Sequence, residues 1–392
     1  MKYRKMGSLP WEVSALGFGC MRLPTKSMLR GVDEKKAIEI IRYGIDQGIN
    51  YIDTAWLYHM GQSERVLGKA LKDGYREKVR IATKLPMVMV RNADAFDRYL
   101  NEQLERLQVS CIDMYLFHML DQNNFAKVKR FKFIDKMEKA RQQGIIKHIG
   151  FSFHDTLPVF REIIDFYPWD MTQIQYNYMD TAIQASTEGL AYAYKKGIAV
   201  VIMEPLKGGQ LVKPPKEALD VMKNAPVSRT PVNWALQFLW NRPEVACVLS
   251  GMGSRKMVEE NCASADASGV GTLSAEENRV IDQIAEIYRK KIVVPCTACR
   301  YCMPCPSGVD IPQNFALLNN KAAGSSRKFS SRIVQWMITR NYRKLAKSKN
   351  ELSKKNNRGN ASLCVRCNAC VPKCPQKIMI PDELEKVKAA FR

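Results

Sequence analysis

The stretch GINYIDTAWLYHMGQSERVLGKAL, residues 48–71, joins a short apolar segment to a longer amphipathic one through a polar loop. Its beginning follows a glycine and is rich in β-forming residues, which is typical of a strand. Its end carries apolar residues at spacings of three and four, which is typical of a helix. Asp53 lies where the predicted strand ends, and Tyr58 lies five residues later in the loop. The stretch therefore predicts one β–loop–α unit with ionisable side chains in its loop.

The same alternation recurs along the first 290 residues. Helical segments such as DEKKAIEIIRYGIDQG, in which Asp33 can cap the start and Gly48 ends the helix, separate the apolar runs. Eight alternations favour an α/β fold of the (β/α)8 TIM-barrel type. A doubly wound sheet is the competing fold, but the first strand leads into GFGCMRLP rather than the G-x-G-x-x-G of a dinucleotide-binding unit. The predicted strands are SALGFGCM, GINYIDTA, VRIATKL, CIDMYLFHM, IKHIGFS, DMTQIQYN, IAVVIME and VACVLSGM.

The C-terminal ends of these strands carry ionisable residues. TIM barrels perform their chemistry at those ends. Asp53 follows NYI, Lys84 follows RIAT, and His118 follows MYLF. Singly, such residues are commonly helix caps, surface groups or structural histidines. Together with Tyr58, at successive strand ends, they predict an active site.

The residues quoted so far carry a resemblance to a known family. The signature of the aldo/keto reductases resembles the order found here, which is D-T-A, then Tyr58, then G-x-S-E and G-x-A-L. The family's Lys and His motifs resemble IATKL and DMYLFHM. The resemblance covers nearly all of residues 3–265 in the same order. It implies a (β/α)8 barrel, a nicotinamide cofactor, NADP or NAD, and stereospecific reduction of a small carbonyl substrate. The family's catalytic tetrad falls on Asp53, Tyr58, Lys84 and His118.

The chemistry of carbonyl reduction suits these residue types. Reduction needs a hydride on carbon and a proton on oxygen, and a phenol with a pKa of about 10 is a weak acid near neutrality. A close ammonium favours phenolate and lowers that pKa. We therefore expect Tyr58 to act as the acid, Lys84 to lower its pKa, Asp53 to hold Lys84, and His118 to orient and polarise the substrate oxygen.

The resemblance also implies contacts to the nicotinamide end of the cofactor. IGFSFHD resembles the family's G-x-S-N segment, which assigns Ser152 to the carboxamide. Phe153 replaces the usual Asn, and His154 is the alternative for that contact. TQIQYN places Gln173 at the family's carboxamide-binding Gln, and Met203 stands where an aromatic ring commonly stacks on the nicotinamide.

Two further segments are expected to hold the phosphates and the adenosine. In VIMEPLKGGQL, the residues along the pyrophosphate would be Leu206, Lys207 and Gly208, since backbone amides of a Gly-rich turn and one Lys suit a diphosphate. SGMGSRKMVEEN resembles the family's adenosine-binding loop and helix. Met257 replaces the family's arginine there, so NADP and NAD both stay open. The implied contacts of this segment are Gly251, Gly253, Ser254, Lys256, Glu260 and Asn261.

Two cysteine motifs follow the barrel sequence. Cys364, Cys367, Cys370 and Cys374 form C-x2-C-x2-C-x3-C-P, the bacterial ferredoxin pattern for [4Fe–4S] clusters. The first motif, with cysteines at 296, 299, 302 and 305, is one residue shorter before its last cysteine. In two-cluster ferredoxins the fourth cysteine of each motif binds the other cluster. By the same crossing, we expect cluster 1 to be bound by Cys296, Cys299, Cys302 and Cys374, and cluster 2 by Cys364, Cys367, Cys370 and Cys305.

Zinc and disulfides are the alternatives for these thiols. Zinc sites usually pair C-x2-C at two places, whereas three close thiols with a distant Cys-Pro suit a cluster better. No apolar signal segment begins the sequence, which predicts a cytoplasmic, reducing location that disfavours disulfides. Four cysteines outside the motifs are expected to be buried small hydrophobes: Cys20, Cys111, Cys247 and Cys262.

Composition divides the chain at about residue 290. Hydrophobic residues make up 46%, enough for a large core, and no apolar run reaches the length of a membrane span. The net charge is +22, and residues 291–392 hold 20 Lys and Arg against 5 Asp and Glu. We expect a barrel domain at 1–290 and a mainly α ferredoxin-like domain at 291–392, with an amphipathic helix within 333–345, a polar loop after it and a C-terminal helix.

Three functions are compatible with these residues. The leading one is an NAD(P)-dependent oxidoreductase of carbonyls or alcohols whose two [4Fe–4S] clusters exchange electrons with an acidic carrier such as a ferredoxin or flavodoxin. The second keeps the reductase and makes the clusters structural or redox-sensing. The third, a basic iron–sulfur module on nucleic acid, is disfavoured because the tail has few interleaved aromatics. A flavin is possible, but no motif supports it.

Overall fold

The structure, a computed structural model, describes residues 1–27, 31–324, 330–345 and 358–392. Contacts divide the chain into two compact units. The barrel unit comprises Met1–Leu206 and Val232–Asn278. The cysteine unit comprises Lys207–Pro231 and Arg279–Arg392. The predicted domain limits, 1–290 and 291–392, stay a prediction.

Eight parallel strands of the barrel unit close into a barrel, in the order β3-β6-β7-β8-β9-β10-β11-β12. The predicted (β/α)8 barrel is therefore confirmed, and the doubly wound alternative is wrong. Two short antiparallel pairs, β1 with β2 and β4 with β5, accompany the barrel. The strands are β1 (Tyr3–Lys5), β2 (Glu12–Ser14), β3 (Leu16–Gly19), β4 (Thr25–Ser27), β5 (Gly31–Val32), β6 (Tyr51–Asp53), β7 (Arg80–Leu85), β8 (Ile112–Leu120), β9 (Ile146–Phe153), β10 (Met171–Gln175), β11 (Ala199–Met203) and β12 (Val245–Ser250).

The helices of the barrel unit carry apolar faces that cover the barrel, and those of the cysteine unit build a core of their own. In chain order they are α1 (Glu34–Asp46), α2 (Gln62–Ala70), α3 (Ala95–Leu107), α4 (Gln122–Arg130), α5 (Phe133–Gln142), α6 (Leu157–Phe166), α7 (Ser186–Lys195), α8 (Lys216–Lys223), α9 (Pro231–Trp240), α10 (Arg255–Asp266), α11 (Ala275–Arg289), α12 (Ile311–Gly324), α13 (Ser330–Arg343) and α14 (Ile380–Ala390). Within the described ranges, no helix combines the length and apolar character needed to cross a membrane.

Two apolar layers stabilise the barrel unit. The outer layer joins strand residues such as Ile52 and Phe117 to helix residues such as Ile41. The inner layer fills the barrel with alternate strand residues, among them Tyr51 and Leu116. Side chains of a strand alternate between its two faces, so this division follows directly from the strand period of two.

The start of the first barrel helix corrects a detail of the sequence analysis. Asp33 stands at the N-cap of α1, as predicted, but its side chain makes no capping hydrogen bond. Its carboxylate instead lies 3.7 Å from the Nζ of Lys36. The predicted helix end is confirmed: Gly48 adopts a positive φ of 93° just beyond it, a conformation that glycine adopts without steric cost.

The cysteine unit has its own core, built from α12, α13, α14 and the loops between them. Phe315 and Leu384 are buried there with Val294 and Val309. The predicted C-terminal helix is confirmed as α14, and the predicted amphipathic helix lies mostly within α13. The polar loop expected after it falls largely outside the described residues.

Candidate active site and cysteine sites

Strand alternation directs three of the predicted catalytic residues into the barrel. Each follows, two positions later, a side chain of the inner apolar layer, so both point to the same face. The pairs are Tyr51 and Asp53 in β6, Ala82 and Lys84 in β7, and Leu116 and His118 in β8. Each ionisable residue lies toward the C-terminal end of its strand, where TIM barrels place their chemistry.

Asp53 and Lys84 form a buried ion pair. The Nζ of Lys84 donates to both carboxylate oxygens of Asp53, at 2.7 and 2.8 Å, and to the carbonyl of Thr54 at 2.8 Å. Lys84 is 1% exposed and Asp53 is 3% exposed. Burial lowers the pKa of Lys84, and the nearby Asp53 carboxylate opposes that change. The pair therefore holds an ammonium at a fixed position inside the barrel.

Tyr58 lies at the start of a tight turn with an unusual backbone. The three residues after it, His59, Met60 and Gly61, have positive φ values of 49°, 57° and 86°. Consecutive non-glycine residues in this region are uncommon and strained, and such strain is often retained at functional sites. The Nε2 of His59 accepts a hydrogen bond from the backbone amide of Leu23 at 3.1 Å, which anchors the turn.

The tyrosine ring lies close to the other predicted catalytic groups. The Nζ of Lys84 is 5.2 Å from the centroid of the Tyr58 ring. The rings of Tyr58 and His118 meet edge to face, with centroids 5.9 Å apart and an interplanar angle of 80°. Thus the four residues predicted as a tetrad come together in one place in the barrel unit.

His118 is held in a form that suits interaction with an uncharged oxygen. Burial lowers its pKa well below the ordinary value, and repulsion from Lys84 and then from His154 lowers it further. The imidazole is therefore neutral near neutral pH and can form a hydrogen bond to a substrate oxygen without carrying charge.

A row of polar side chains that the sequence analysis missed extends from His154. The Nδ1 of His154 lies 3.2 Å from the Oε1 of Gln184, whose Nε2 donates to Gln175 at 3.1 Å. Gln175 in turn donates to Asp180 at 2.8 Å. The sequence did contain one signal for this row: Gln173 and Gln175 are two apart in β10, so both point inward.

The residues assigned to the carboxamide occupy neighbouring strands. Ser152 and Gln173 pair in the registers of β9 and β10. The Oγ of Ser152 accepts a hydrogen bond from the amide of Met119 at 2.8 Å, and Gln173 donates to Asp53 at 2.5 Å. Phe153 points outward, into the outer apolar layer, so of the two residues after Ser152 only His154 follows the inner face. The carboxamide contacts themselves stay a prediction.

The segment predicted to hold the pyrophosphate spans both units. Met203 ends β11, and Leu206 is the last residue of this part of the barrel unit. Lys207, which is buried, and Gly208 belong to the cysteine unit. Their φ values are 47° and 66°, the left-handed region that favours glycine.

Within the cysteine unit, the turn at 207–212 packs against the first cysteine motif. A Cβ placed on Gly208 would lie 2.0 Å from the carbonyl oxygen of Thr297. The side-chain amide of Gln210 donates to the carbonyl of Cys296, and the hydroxyl of Tyr288 donates to the carbonyl of Gln210 at 3.1 Å. No local pattern in the sequence could have indicated this contact, because its partners are about 90 positions apart.

The predicted adenosine segment forms the loop between β12 and α10. Ser254 is the N-cap of α10, and its Oγ accepts from the amide of Met257 at 3.3 Å. Asn261 is buried and donates to the Oγ of Ser250 at 2.9 Å. Gly251 and Gly253 form the approach to the helix, while Lys256 and Glu260 lie on its exposed face, 3.7 Å apart. The amides at a helix start suit an anion, and the contacts assigned to this segment stay a prediction.

The first three motif cysteines share a cavity with the last cysteine of the second motif. The cavity is lined by Cys296, Cys299, Cys302 and Cys374, together with apolar side chains that include Ile311 and Phe315. This grouping has the composition predicted for cluster 1. Four thiols and an apolar wall match the donor set of a [4Fe–4S] cluster.

The other four motif cysteines are also neighbours. Burial raises the pKa of the Cys370 thiol to about 11, and the nearby Cys305, Cys364 and Cys367 contribute to the increase. These are the four residues predicted for cluster 2. The placement agrees with the crossed assignment, in which the last cysteine of each motif belongs to the other group.

The remaining cysteine expectations have mixed outcomes. None of the twelve cysteines forms a disulfide in the structure. Cys20, Cys247 and Cys262 are buried, as predicted, but the prediction for Cys111 is wrong: it is partly exposed, just before β8. In the described part of the chain, no three His, Cys, Asp or Glu side chains form a group that could hold a single metal ion.

Comparison with known families agrees with both parts of the sequence. The model of the aldo/keto reductase family matches residues 15–286, and that of the 4Fe-4S dicluster domain matches residues 295–379. The L-galactose dehydrogenase of Arabidopsis thaliana is 28% identical over 288 residues, 67% of this chain and 88% of that protein. A probable aldo-keto reductase of Glycine max is 32% identical over 213 residues, 52% of this chain and 59% of the relative's length.

Solved structures agree with the fold. An aldo-keto reductase of Bacillus halodurans in its holo form has a TM-score of 0.61 and 28% identity, and the match covers 72% of this chain and 96% of that one. An aldo-keto reductase of Klebsiella pneumoniae in complex with NADPH has a TM-score of 0.61 at 24% identity, covering 72% of this chain and 95% of that one. The family match spans most of the barrel sequence, and the tetrad positions lie within it. This chain therefore belongs to the aldo/keto reductase family and carries a 4Fe-4S domain after its barrel sequence.

Proposed function

We propose that this chain is an NAD(P)-dependent oxidoreductase that interconverts a small carbonyl compound and its alcohol, and that it carries two [4Fe–4S] clusters that exchange electrons with a partner protein. The observation that carries the first part is the buried Asp53–Lys84 pair beside the ring of Tyr58, with neutral His118 against the same ring. An acid, a cation that favours its conjugate base and an oxygen-binding imidazole are together in a water-poor site.

Each side chain has a defined task in this proposal. A bound nicotinamide dinucleotide supplies or accepts the hydride. Tyr58 donates the proton to the forming alkoxide, and in the oxidative direction it takes that proton back. Lys84 stabilises the phenolate that remains, and Asp53 holds Lys84 in place. His118 donates a hydrogen bond to the substrate oxygen, which fixes the carbonyl for attack.

We assign the residues that would hold the dinucleotide to three places along the chain. Ser152 and Gln173 offer polar groups beside the tetrad, and the Gly-rich turn with Lys207 suits a diphosphate. Ser254 begins a helix whose amides suit the adenosine phosphate. Arg255 and Lys256 flank that position, so a comparison of the KM values for NADPH and NADH measures the preference for the 2′-phosphate.

The electron-transfer part is supported by the position of the first cysteine motif. Its Cys296 and Thr297 pack against the turn at 207–212, the same turn proposed to hold the pyrophosphate. [4Fe–4S] clusters exchange single electrons, so two such transfers, together with one proton exchanged with solvent, would balance one hydride of the nicotinamide. We expect the acidic partner to be a one-electron carrier of the ferredoxin or flavodoxin type, and we expect the protein to act in a cytoplasmic, reducing environment.

Tyr58→Phe tests the reductase. Removal of the proposed acid should lower carbonyl reduction by about 10²- to 10⁴-fold. The control is Tyr192→Phe, which removes an exposed hydroxyl that donates a hydrogen bond to Asp165. Undiminished turnover in Tyr58→Phe, or an equal loss in both variants, would contradict the assignment.

The cofactor inventory of anaerobically purified protein tests the clusters. Two clusters require about eight irons and eight sulfides per chain, and an iron-free, zinc-containing product would overturn the proposal. NADPH or NADH is then added while cluster absorbance is followed. Bleaching supports electron exchange with the nicotinamide; unchanged clusters during normal aldehyde turnover favour the alternative of a simple reductase with structural or redox-sensing clusters.

A further inference from the structure

The two proposed cluster sites differ in how closely they approach the protein surface. In the group proposed for cluster 1, Cys302 is buried and the other three cysteines are half-buried. In the group proposed for cluster 2, Cys367 is exposed and the other three are half-buried. Cluster 2 is therefore the outer of the two sites in the cysteine unit.

The chain around Cys367 forms a continuous exposed segment. All five residues from 365 to 369 are exposed, and Val365 is 57% exposed. Arg366 pairs with Asp382 at the start of α14, at 2.5 Å, which joins this segment to exposed Met379 beside the same helix. Two exposed apolar side chains, Val365 and Met379, thus lie on the two segments that this ion pair joins.

The charged side chains of the second motif itself are all basic, and one of them, Arg366, is paired with Asp382 of α14. Residues 364–379 contain Arg366, Lys373 and Lys377 and no acidic residue. Lys373 lies in the turn that follows the Cys367 segment, where its backbone amide donates to the carbonyl of Cys370 at 3.3 Å. The first motif, residues 296–309, contains only Arg300, which lies 3.7 Å from Asp310. The positive surface is therefore at the second motif.

We propose that Val365, Arg366, Cys367, Lys373 and Met379, here called the Cys367 surface, form the docking site for a small acidic one-electron carrier protein. The inference rests on the proposed function, because it assumes that cluster 2 is present. A small apolar centre with a cationic rim is the pattern that suits brief, electrostatically guided encounters. The carrier gives one electron to the chain, or takes one from it, in each encounter. Exchange should therefore occur here and not at the less exposed cluster 1 site.

The test uses the full-length, cluster-loaded protein and a small acidic flavodoxin as the probe. Lys373→Glu places a negative charge on the rim, and Val365→Ser removes apolar contact without a change of charge. The control is Lys72→Glu, which makes the same charge change at an exposed position of the barrel unit. Iron content and the electron paramagnetic resonance signal of each variant establish that its clusters are intact.

Two readouts are expected to change together. At low ionic strength Lys373→Glu should lower the association rate with flavodoxin about tenfold, and the difference from wild type should disappear in about 1 M salt, where the screening length is about 3 Å. Val365→Ser should raise the dissociation constant severalfold at any salt concentration. Lys72→Glu should match the wild type in both measurements.

Failures of the two proposals are distinguishable. If the clusters are intact and exchange electrons with flavodoxin, but Lys373→Glu and Val365→Ser behave like Lys72→Glu, the Cys367 surface is overturned and the proposed function stands. If wild-type clusters exchange no electrons with any acidic carrier, the electron-transfer part of the proposed function is overturned and the docking site falls with it.

Discussion

Lys84→Met should destabilise the barrel unit strongly, for reasons visible in its contacts. The substitution removes an ammonium that makes hydrogen bonds at 2.7, 2.8 and 2.8 Å to the two Asp53 oxygens and the Thr54 carbonyl. Asp53 then stays buried, with Gln173 as a remaining hydrogen-bond donor. Removal of one partner of a buried pair costs about 3–5 kcal/mol, because the other charge is left uncompensated.

Urea unfolding followed by tryptophan fluorescence measures this cost. Five of the six tryptophans, at positions 11, 56, 169, 234 and 240, lie in the barrel unit, so the signal reports on that unit. A loss of about 3–5 kcal/mol corresponds to a midpoint lower by about 1 M urea or more for an m-value near 3 kcal/mol per M. Carbonyl reduction should also be abolished.

A compensated double variant separates stability from chemistry. Asp53→Leu combined with Lys84→Met replaces both charges by apolar side chains, a change that is often neutral or stabilising for a buried pair. We expect most of the lost stability to return while carbonyl reduction stays abolished. A loss of less than about 1 kcal/mol in Lys84→Met alone, or a double variant less stable than the single one, would contradict this prediction.

Three further predictions concern His118, Gly208 and pairs of motif cysteines. The pKa of His118 is lowered in the folded state, so the unfolded chain binds more protons below about pH 6.5 and the free energy of unfolding falls as the pH drops through that value. His118→Asn should reduce this loss between about pH 7.5 and 5.5, as measured by urea unfolding. A non-glycine residue in the left-handed conformation costs about 1–2 kcal/mol. Gly208→Ala should destabilise the cysteine unit by more than this, because the new Cβ would also meet a backbone oxygen. Heat-induced iron release measures the effect. Under the crossed assignment, Cys302 and Cys374 bind the same cluster, so the double variant Cys302→Ser, Cys374→Ser should keep the other cluster and about four irons. Cys370→Ser with Cys374→Ser should lose both clusters. The opposite pattern would assign each motif to its own cluster.

The sequence predicted the barrel well because its information there is local. Each strand is a short run rich in apolar and β-forming residues, and the alternation of side chains along a strand directs Asp53, Lys84 and His118 to one face. Tyr58 could be placed near them because its loop is short. The strained turn after Tyr58 and its anchor through His59 could not be predicted, since they depend on the exact backbone.

What the sequence left undetermined depends on contacts between distant segments. The hairpin of β1 and β2 was missed because its strands are only three residues long and carry polar residues. The row from His154 to Asp180 needs the geometry of two loops. The absence of a capping bond at Asp33 is likewise a matter of geometry, because the residue type is right and the side chain turns to Lys36 instead.

The membership of segment 207–231 in the cysteine unit has a consequence for how this protein can be divided. A deletion after residue 290 follows the boundary in the sequence, but it would remove Thr297 and Cys296, on which the turn at 207–212 packs. The shortened chain would then lack support for the turn proposed to hold the pyrophosphate. Weak cofactor binding by an excised barrel would therefore say nothing about whether the clusters transfer electrons.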